Sequence, residues 1–130
     1  MAAITTRISV SGRGITADRL ASNCSFTVIA ERVLERGTKV ITSTDGASPT
    51  LIADAADFGG ANDRALVYLK NTSTTKDQYI YIHLGGTRIF KLNTGEATIF
   101  PWEADANTDD IEAHATTNTN TIEYTIVNIK

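Results

Sequence analysis

The residue types in this chain that lend themselves to catalysis or metal binding are two histidines, His83 and His114, a single cysteine, Cys24, and an acidic run from Asp105 to Glu112. A catalytic histidine needs an acid to orient it and a nucleophile to deprotonate. Neither a Gly-x-Ser-x-Gly elbow nor a Cys-His motif occurs in the sequence. Both histidines fall inside candidate strands, His83 alternating with Tyr79 and Tyr81, so each is expected to be a hydrogen-bonded residue on a sheet face. Cys24 has no second cysteine to pair with, and its place in the alternating run Cys24-Ser-Phe-Thr-Val28 suits a small buried thiol.

The acidic run opens like a calcium loop, with Asp105, Asn107 and Asp109 at alternate positions. The sixth position is Asp110, where such a loop needs glycine for its sharp turn, and the twelfth is Thr116, where it needs a bidentate Glu. A solvated acidic loop is therefore expected, and no metal site. Asp109 and Asp110 would serve glycoside hydrolysis only if two acids faced each other across a cleft. Gly85-Gly86 lies between two candidate strands and not between a strand and a helix, so it does not cradle phosphate. Phe90, Phe100, Trp102 and Tyr124 read as core or subunit-contact aromatics, with a sugar-stacking platform as the alternative; Trp102, directly after Pro101, is the one expected at the surface. No catalytic residue and no cofactor is predicted, which points to a structural or binding module and not an enzyme.

At 130 residues the chain suits one hydrophobic core and is expected to be a single domain over 1–130. With 42% hydrophobic and 21% charged residues it has the composition of a folded protein. The net charge is −3 and the Lys and Arg residues are scattered, so no basic stripe exists to neutralise a phosphate backbone, and nucleic acid is not an expected partner. Met1-Ala-Ala-Ile-Thr-Thr-Arg7 lacks a charged segment followed by a continuous apolar one, and no apolar run approaches the ~18 residues that span a bilayer, so neither secretion by the usual route nor membrane insertion is expected. Two sequons, Asn23-Cys-Ser and Asn71-Thr-Ser, are on that ground not expected to be glycosylated.

The elements that must position these residues are strands. β-branched and aromatic residues crowd short segments separated by Gly, Asn, Asp and Ser: Ile4 to Val10, Cys24 to Val33, Thr38 to Thr44, Thr50 to Ala53, Ala65 to Asn71, Gln78 to Leu84, Thr87 to Leu92, Ala97 to Phe100, Ile111 to Ala115 and Thr121 to Ile129. In Tyr79-Ile-Tyr-Ile-His-Leu84 the period of two puts Ile80, Ile82 and Leu84 on one face and Tyr79, Tyr81 and His83 on the other. Leu84-Gly-Gly-Thr87 reads as a two-residue hairpin, and Asp45-Gly46 and Asn93-Thr-Gly95 as tight turns. The stretch from Ala65 to Phe100 reads as a meander, ended by Pro101, which has no N–H to donate. Thr16 to Ala21 and Ala53 to Phe58 offer one helical turn each. The prediction is an all-β fold, a two-sheet antiparallel sandwich of jelly-roll or Greek-key type, with at most one or two short helical turns.

The segments Leu66-Val-Tyr-Leu-Lys-Asn71, Tyr79-Ile-Tyr-Ile82, Phe90-Lys-Leu-Asn-Thr-Gly-Glu96 and Ala97-Thr-Ile-Phe-Pro101 together resemble small β-sandwich virion proteins of tailed bacteriophages, over roughly the C-terminal half of the chain. The resemblance implies a structural virion subunit, made in the host cytoplasm and most plausibly a capsid decoration (cement) protein. Such a protein binds the major capsid protein or other virion proteins as a homo-oligomer, with a trimer favoured, and buries contacts spread over a face. A tail, neck or fibre component is the alternative, and a carbohydrate-binding module the competitor from another class. On this reading residues 1–14 are a candidate N-terminal arm, with Ile4, Ile8 and Val10 its inter-subunit residues. Either that strand adds to the edge of a neighbour's sheet or it pairs within its own.

Overall fold

A computed structural model describes residues 2–12, 20–58, 64–103 and 109–129. The elements run β1 (Ala2–Gly12), β2 (Leu20–Val40), β3 (Thr50–Ala53), α1 (Ala55–Phe58), β4 (Arg64–Asn71), β5 (Ile80–Leu84), β6 (Thr87–Leu92), β7 (Ala97–Glu103), β8 (Ile111–Ala115) and β9 (Thr121–Ile129). One sheet has the order β1-β2-β9-β4-β7 and the other β3-β8-β5-β6. All pairings are antiparallel, and they nest: β2 with β9, β3 with β8, β4 with β7 and β5 with β6. A long hairpin folded over on itself gives that pattern, and the additional pairings of β4 with β9 and β5 with β8 close the wrap. The chain is an all-β two-sheet sandwich with the strand order of a jelly roll, extended at one edge by β1.

The core follows from the period of two. On β4, Ala65, Val67 and Leu69 turn inward; on β9, Ile122, Tyr124 and Ile126; on β5, Ile80 and Ile82; on β8, Ile111, Ala113 and Ala115. Inner faces of the two sheets interdigitate in one apolar layer. The single helical turn, α1, adds Ala55 and Phe58 to it. Its first N–H groups are capped by carboxylates: Ala55 N donates to Asp110 Oδ1 at 2.8 Å and Ala56 N to Asp54 Oδ1 at 2.9 Å.

Three expectations are corrected. The stretch from Ala65 to Phe100 is not one meander, because β4 and β7 lie in one sheet while the β5–β6 hairpin lies in the other. Within this stretch the chain changes sheet twice, and both crossings converge on the buried Asn71. Its Nδ2 donates to Gln78 O (2.8 Å) and Leu92 O (3.2 Å), its Oδ1 accepts from Ser73 N (3.0 Å), and its own N–H donates to Glu96 O (2.9 Å). Pro101 does not end its strand: β7 continues to Glu103, with Leu66 opposite Pro101. As β7 is the last strand of its sheet, the missing N–H faces away from the ladder. Trp102 is not a surface aromatic. It is 2% exposed, opposite Ala65, its ring 5.6 Å from that of Phe58 and its Nε1 donating to Asp109 O at 2.9 Å. The residue beside a proline on an edge strand points into the sandwich when its neighbour points out, and exposed Pro101 has taken the outward place.

The segments Cys24 to Val33 and Thr38 to Thr44 prove to be parts of one 21-residue strand, β2. Register shifts between Ala30 and Arg32 and between Val33 and Glu35 let it run on past the intervening residues. Gly37 lies flat on Tyr124, where an added Cβ would stand 3.4 Å from the phenol oxygen. The β5–β6 turn is of the primed kind the paired glycines suggest, with φ of 56° at Gly85 and 77° at Gly86.

Candidate functional site

The two histidines, 31 residues apart in sequence, are brought together by the pairing of β5 with β8, which sets Tyr81 opposite His114 and His83 opposite Glu112. His83 and His114 are thus diagonal neighbours on the outer face of the β3-β8-β5-β6 sheet. His83 Nε2 and His114 Nδ1 are 2.7 Å apart, sharing one proton. The His114 ring stacks on Tyr81 at 4.6 Å between centroids, and the Arg88 guanidinium lies over the other side of the cluster, 5.0 Å from the Tyr81 ring. The loop between β2 and β3 covers the pair: an added Cβ on Gly46 would stand 3.1 Å from His114 Cε1. Burial, then the neighbouring His83 and Arg88, hold His114 below the usual histidine pKa, against a weaker upward pull from Asp45. The sequence marked each histidine as a sheet-face residue, which is where they lie. Their contact was not legible, because nothing in a single sequence says which two strands pair.

This cluster can hold or release a proton, and each ring already has a protein partner. Among the described residues no group of three or more His, Cys, Asp or Glu is arranged to hold a metal ion. Of the acidic run, residues 105–108 lie outside the described residues. Asp109 and Asp110 serve the fold: Asp109 O accepts from Trp102, Asp110 Oδ1 caps α1, and Asp110 O accepts from Gly85 N at 3.0 Å.

Two shallow polar depressions lie elsewhere. One of about 450 Å³ is lined by Lys76, Asp77, Tyr79, Lys91, Asn93 and Thr94. Tyr79 donates to Asp77 Oδ1 at 2.8 Å and carries Lys91 Nζ 4.4 Å above its ring, so its aromatic face is occupied by the chain's own cation. The other, of about 440 Å³, runs along β2 and β9 past Arg36, Gly37 and Tyr124. There the Tyr124 hydroxyl donates to Glu35 Oε1 at 2.8 Å, a bond that raises the phenol pKa. Of the aromatics weighed as a sugar platform, Trp102 and Tyr124 are buried, and Phe90 and Phe100 meet edge to face at 5.9 Å against the core. Asn71 of the second sequon is buried as well.

Ile4, Ile8 and Val10 lie on β1, opposite Val28, Cys24 and Ser22 of β2. β1 therefore pairs within its own sheet, as the end strand. β2 pairs with β1 from Leu20 to Ala30 and with β9 from Ala30 to Val40, so the two partners meet it on successive halves. Among the described residues, Leu20 to Ile29 of β2 pair with β1 alone, as a two-stranded ribbon. Residues 13–19, which include the end of the candidate arm, lie outside the described residues.

The sequence matches no protein-family model, and no curated protein resembles it in sequence.

Proposed function

We propose that the chain is a non-enzymatic virion structural protein of a tailed bacteriophage, a capsid decoration subunit that binds the outer face of the shell as a symmetric oligomer, with a trimer favoured. The observation that supports this reading is the ribbon: a jelly-roll body is extended at one edge by β1, and among the described residues Leu20 to Ile29 of β2 pair with β1 alone. Decoration requires a rigid body and an extension that reaches a neighbour, because affinity comes from contacts spread over several subunits. Jelly rolls serve viral shells, lectins and enzymes alike, so the fold by itself does not choose among these. The choice rests on the ribbon, on the resemblance of the C-terminal half, and on the rings of Phe58, Phe90, Phe100, Trp102 and Tyr124, which pack in or against the core, and of Tyr79 and Tyr81, which carry the chain's own cations.

The test is co-sedimentation of the purified chain with phage shells that lack their decoration. Saturable pelleting, at a fixed ratio to the capsid subunits, is the expected result. A chain that stays in the supernatant with every shell, yet pellets with isolated tails or is retained on a polysaccharide column, would move the assignment to a tail part or a sugar-binding module.

A further inference from the structure

β2 runs on past the strand that flanks it. Its pairing with β1 stops at Ala30 while its pairing with β9 continues to Val40, so among the described residues the segment Glu35 to Val40 is itself the edge of the larger sheet. An edge presents a row of backbone N–H and C=O groups that another strand can fill. The chain leaves this one uncovered: Glu35, Arg36, Thr38 and Val40 are exposed, Val40 by 49%, and Gly37 and Lys39 are half-exposed.

The edges at β3, β6 and β7 carry features that discourage pairing. β3 has four residues and a shifted register, and β7 contains Pro101. β6 has a bulge that leaves Ile89 without an opposed residue, together with exposed Arg88 and Lys91. Short strands, bulges, basic side chains and proline all oppose the addition of a strand. Between Glu35 and Val40 there is no proline, and the register against β9 is unbroken. Its basic residues, Arg36 and Lys39, have acidic counterparts close by in Glu35 on the same strand and exposed Glu123 on β9. β1, the remaining edge, has Arg7 as its single charge and offers a copy of itself no charge of opposite sign.

We propose that the Glu35–Val40 edge pairs with the same segment of a second copy of the chain, antiparallel, about a two-fold axis at Gly37. Directly opposed residues of such a pair share a face. This register sets Glu35 opposite the partner's Lys39, Lys39 opposite the partner's Glu35 and Arg36 opposite the partner's Thr38, and no like charges meet. Thr38 in turn lies opposite Glu123 of β9. The partner's Arg36 therefore has a short side chain next in its row and then a carboxylate, two strand spacings or about 10 Å away, within reach of two long side chains extended toward each other. Each interaction occurs twice by symmetry. Gly37 puts no side chain at the axis, and the shallow depression past Arg36, Gly37 and Tyr124 leaves space beside it. Strand addition draws affinity from main-chain hydrogen bonds and selectivity from side chains; here the side chains select a second copy. The inference does not rest on the decoration role. A two-fold edge contact is separate from the contact that would make a trimer, so it calls for an even number of chains, a dimer alone or a pair of trimers where both contacts form.

The experiment is light scattering on the purified full chain, without any capsid, from about 1 to 100 µM, a range that spans micromolar association. Wild type is expected at an even multiple of the chain mass. Lys39→Glu and Glu35→Lys each set like charges opposite one another at both ends of the contact. Each should raise the dissociation constant about tenfold or more, so that the mass falls to half. Mixed in equal amounts, the two variants again place Glu opposite Lys at both ends, and the wild-type multiple should return. Glu35→Lys also gives up the bond from Tyr124, so circular dichroism is recorded for each variant; a chain that merely misfolds is not restored by mixing. Arg7→Glu, on the edge of β1, should leave the mass unchanged. A wild type of single-chain mass or of an odd multiple throughout the range overturns the proposal. An even multiple that both variants leave intact, or a mixture that stays at half the mass, overturns it equally.

Discussion

The residue pair with the most distinctive chemistry is His83 and His114, joined at 2.7 Å on the outer face of the smaller sheet. Two imidazoles that share one proton form a good hydrogen bond while the pair is neutral or singly charged, and repel once both are protonated. In the folded chain His114 is held below the ordinary histidine value by burial, His83 and Arg88. The unfolded chain therefore takes up a proton first on acidification, so the contribution of this group to stability is fully present above about 6.5 and is lost as the pH falls from there through the folded pKa. Thermal unfolding followed from pH 7.5 to 5 should show the melting temperature falling in wild type and a flatter profile in His114→Phe, which keeps a ring to stack on Tyr81 but cannot titrate. An equal slope in both would remove the pair from the account. Glu96 works in a separate, more acidic window: hydrogen bonds from the Asn93 N–H (2.7 Å) and Nδ2 (3.0 Å) lower its pKa, so its contribution persists above the usual Glu value and fades below it.

At the scale of elements, the strands were legible because alternation and turn residues are local properties. Thr50–Ala53, Thr87–Leu92, Ile111–Ala115 and Thr121–Ile129 have the bounds their sequences suggest. The sheet to which each strand belongs was not legible, since a polar loop such as 72–79 looks the same whether it returns within a sheet or crosses to the other. Trp102 was misjudged for a related reason: proline beside it signals an edge, and only the pairing with β4 reveals which way the next residue points. What fixes the two crossings is Asn71, an amide that substitutes for backbone partners at both of them. Replacing it with alanine leaves the carbonyls of Gln78 and Leu92 and the N–H of Ser73 without that partner inside the sandwich. The expected cost is about 2–4 kcal/mol, read as a lower urea midpoint at unchanged slope. A loss under ~0.5 kcal/mol, the range of an ordinary surface change, would mean that water or a shifted loop replaces the amide.

For the whole molecule, the nested hairpin gives a sandwich whose larger sheet is extended at one edge by the pairing of β1 with the first half of β2. The side chains described in the core come from both sheets, and residues 2–12 and 20–29 have only each other for hydrogen-bonded partners among the described strands. Stability should accordingly be uneven along the chain, since backbone amides open with a free energy set by what else must come apart with them. Amides of β4 and β9, paired on both sides in the middle of the larger sheet, open only with global unfolding. Those of residues 2–12 and 20–29 open by unzipping a single pair of strands. Hydrogen exchange followed by mass spectrometry tests this: these amides should exchange far ahead of those of β4 and β9. Amides there as slow as those of β4 and β9 would show that this pair of strands is held by more than its own ladder, and the description of it as an edge extension would fail.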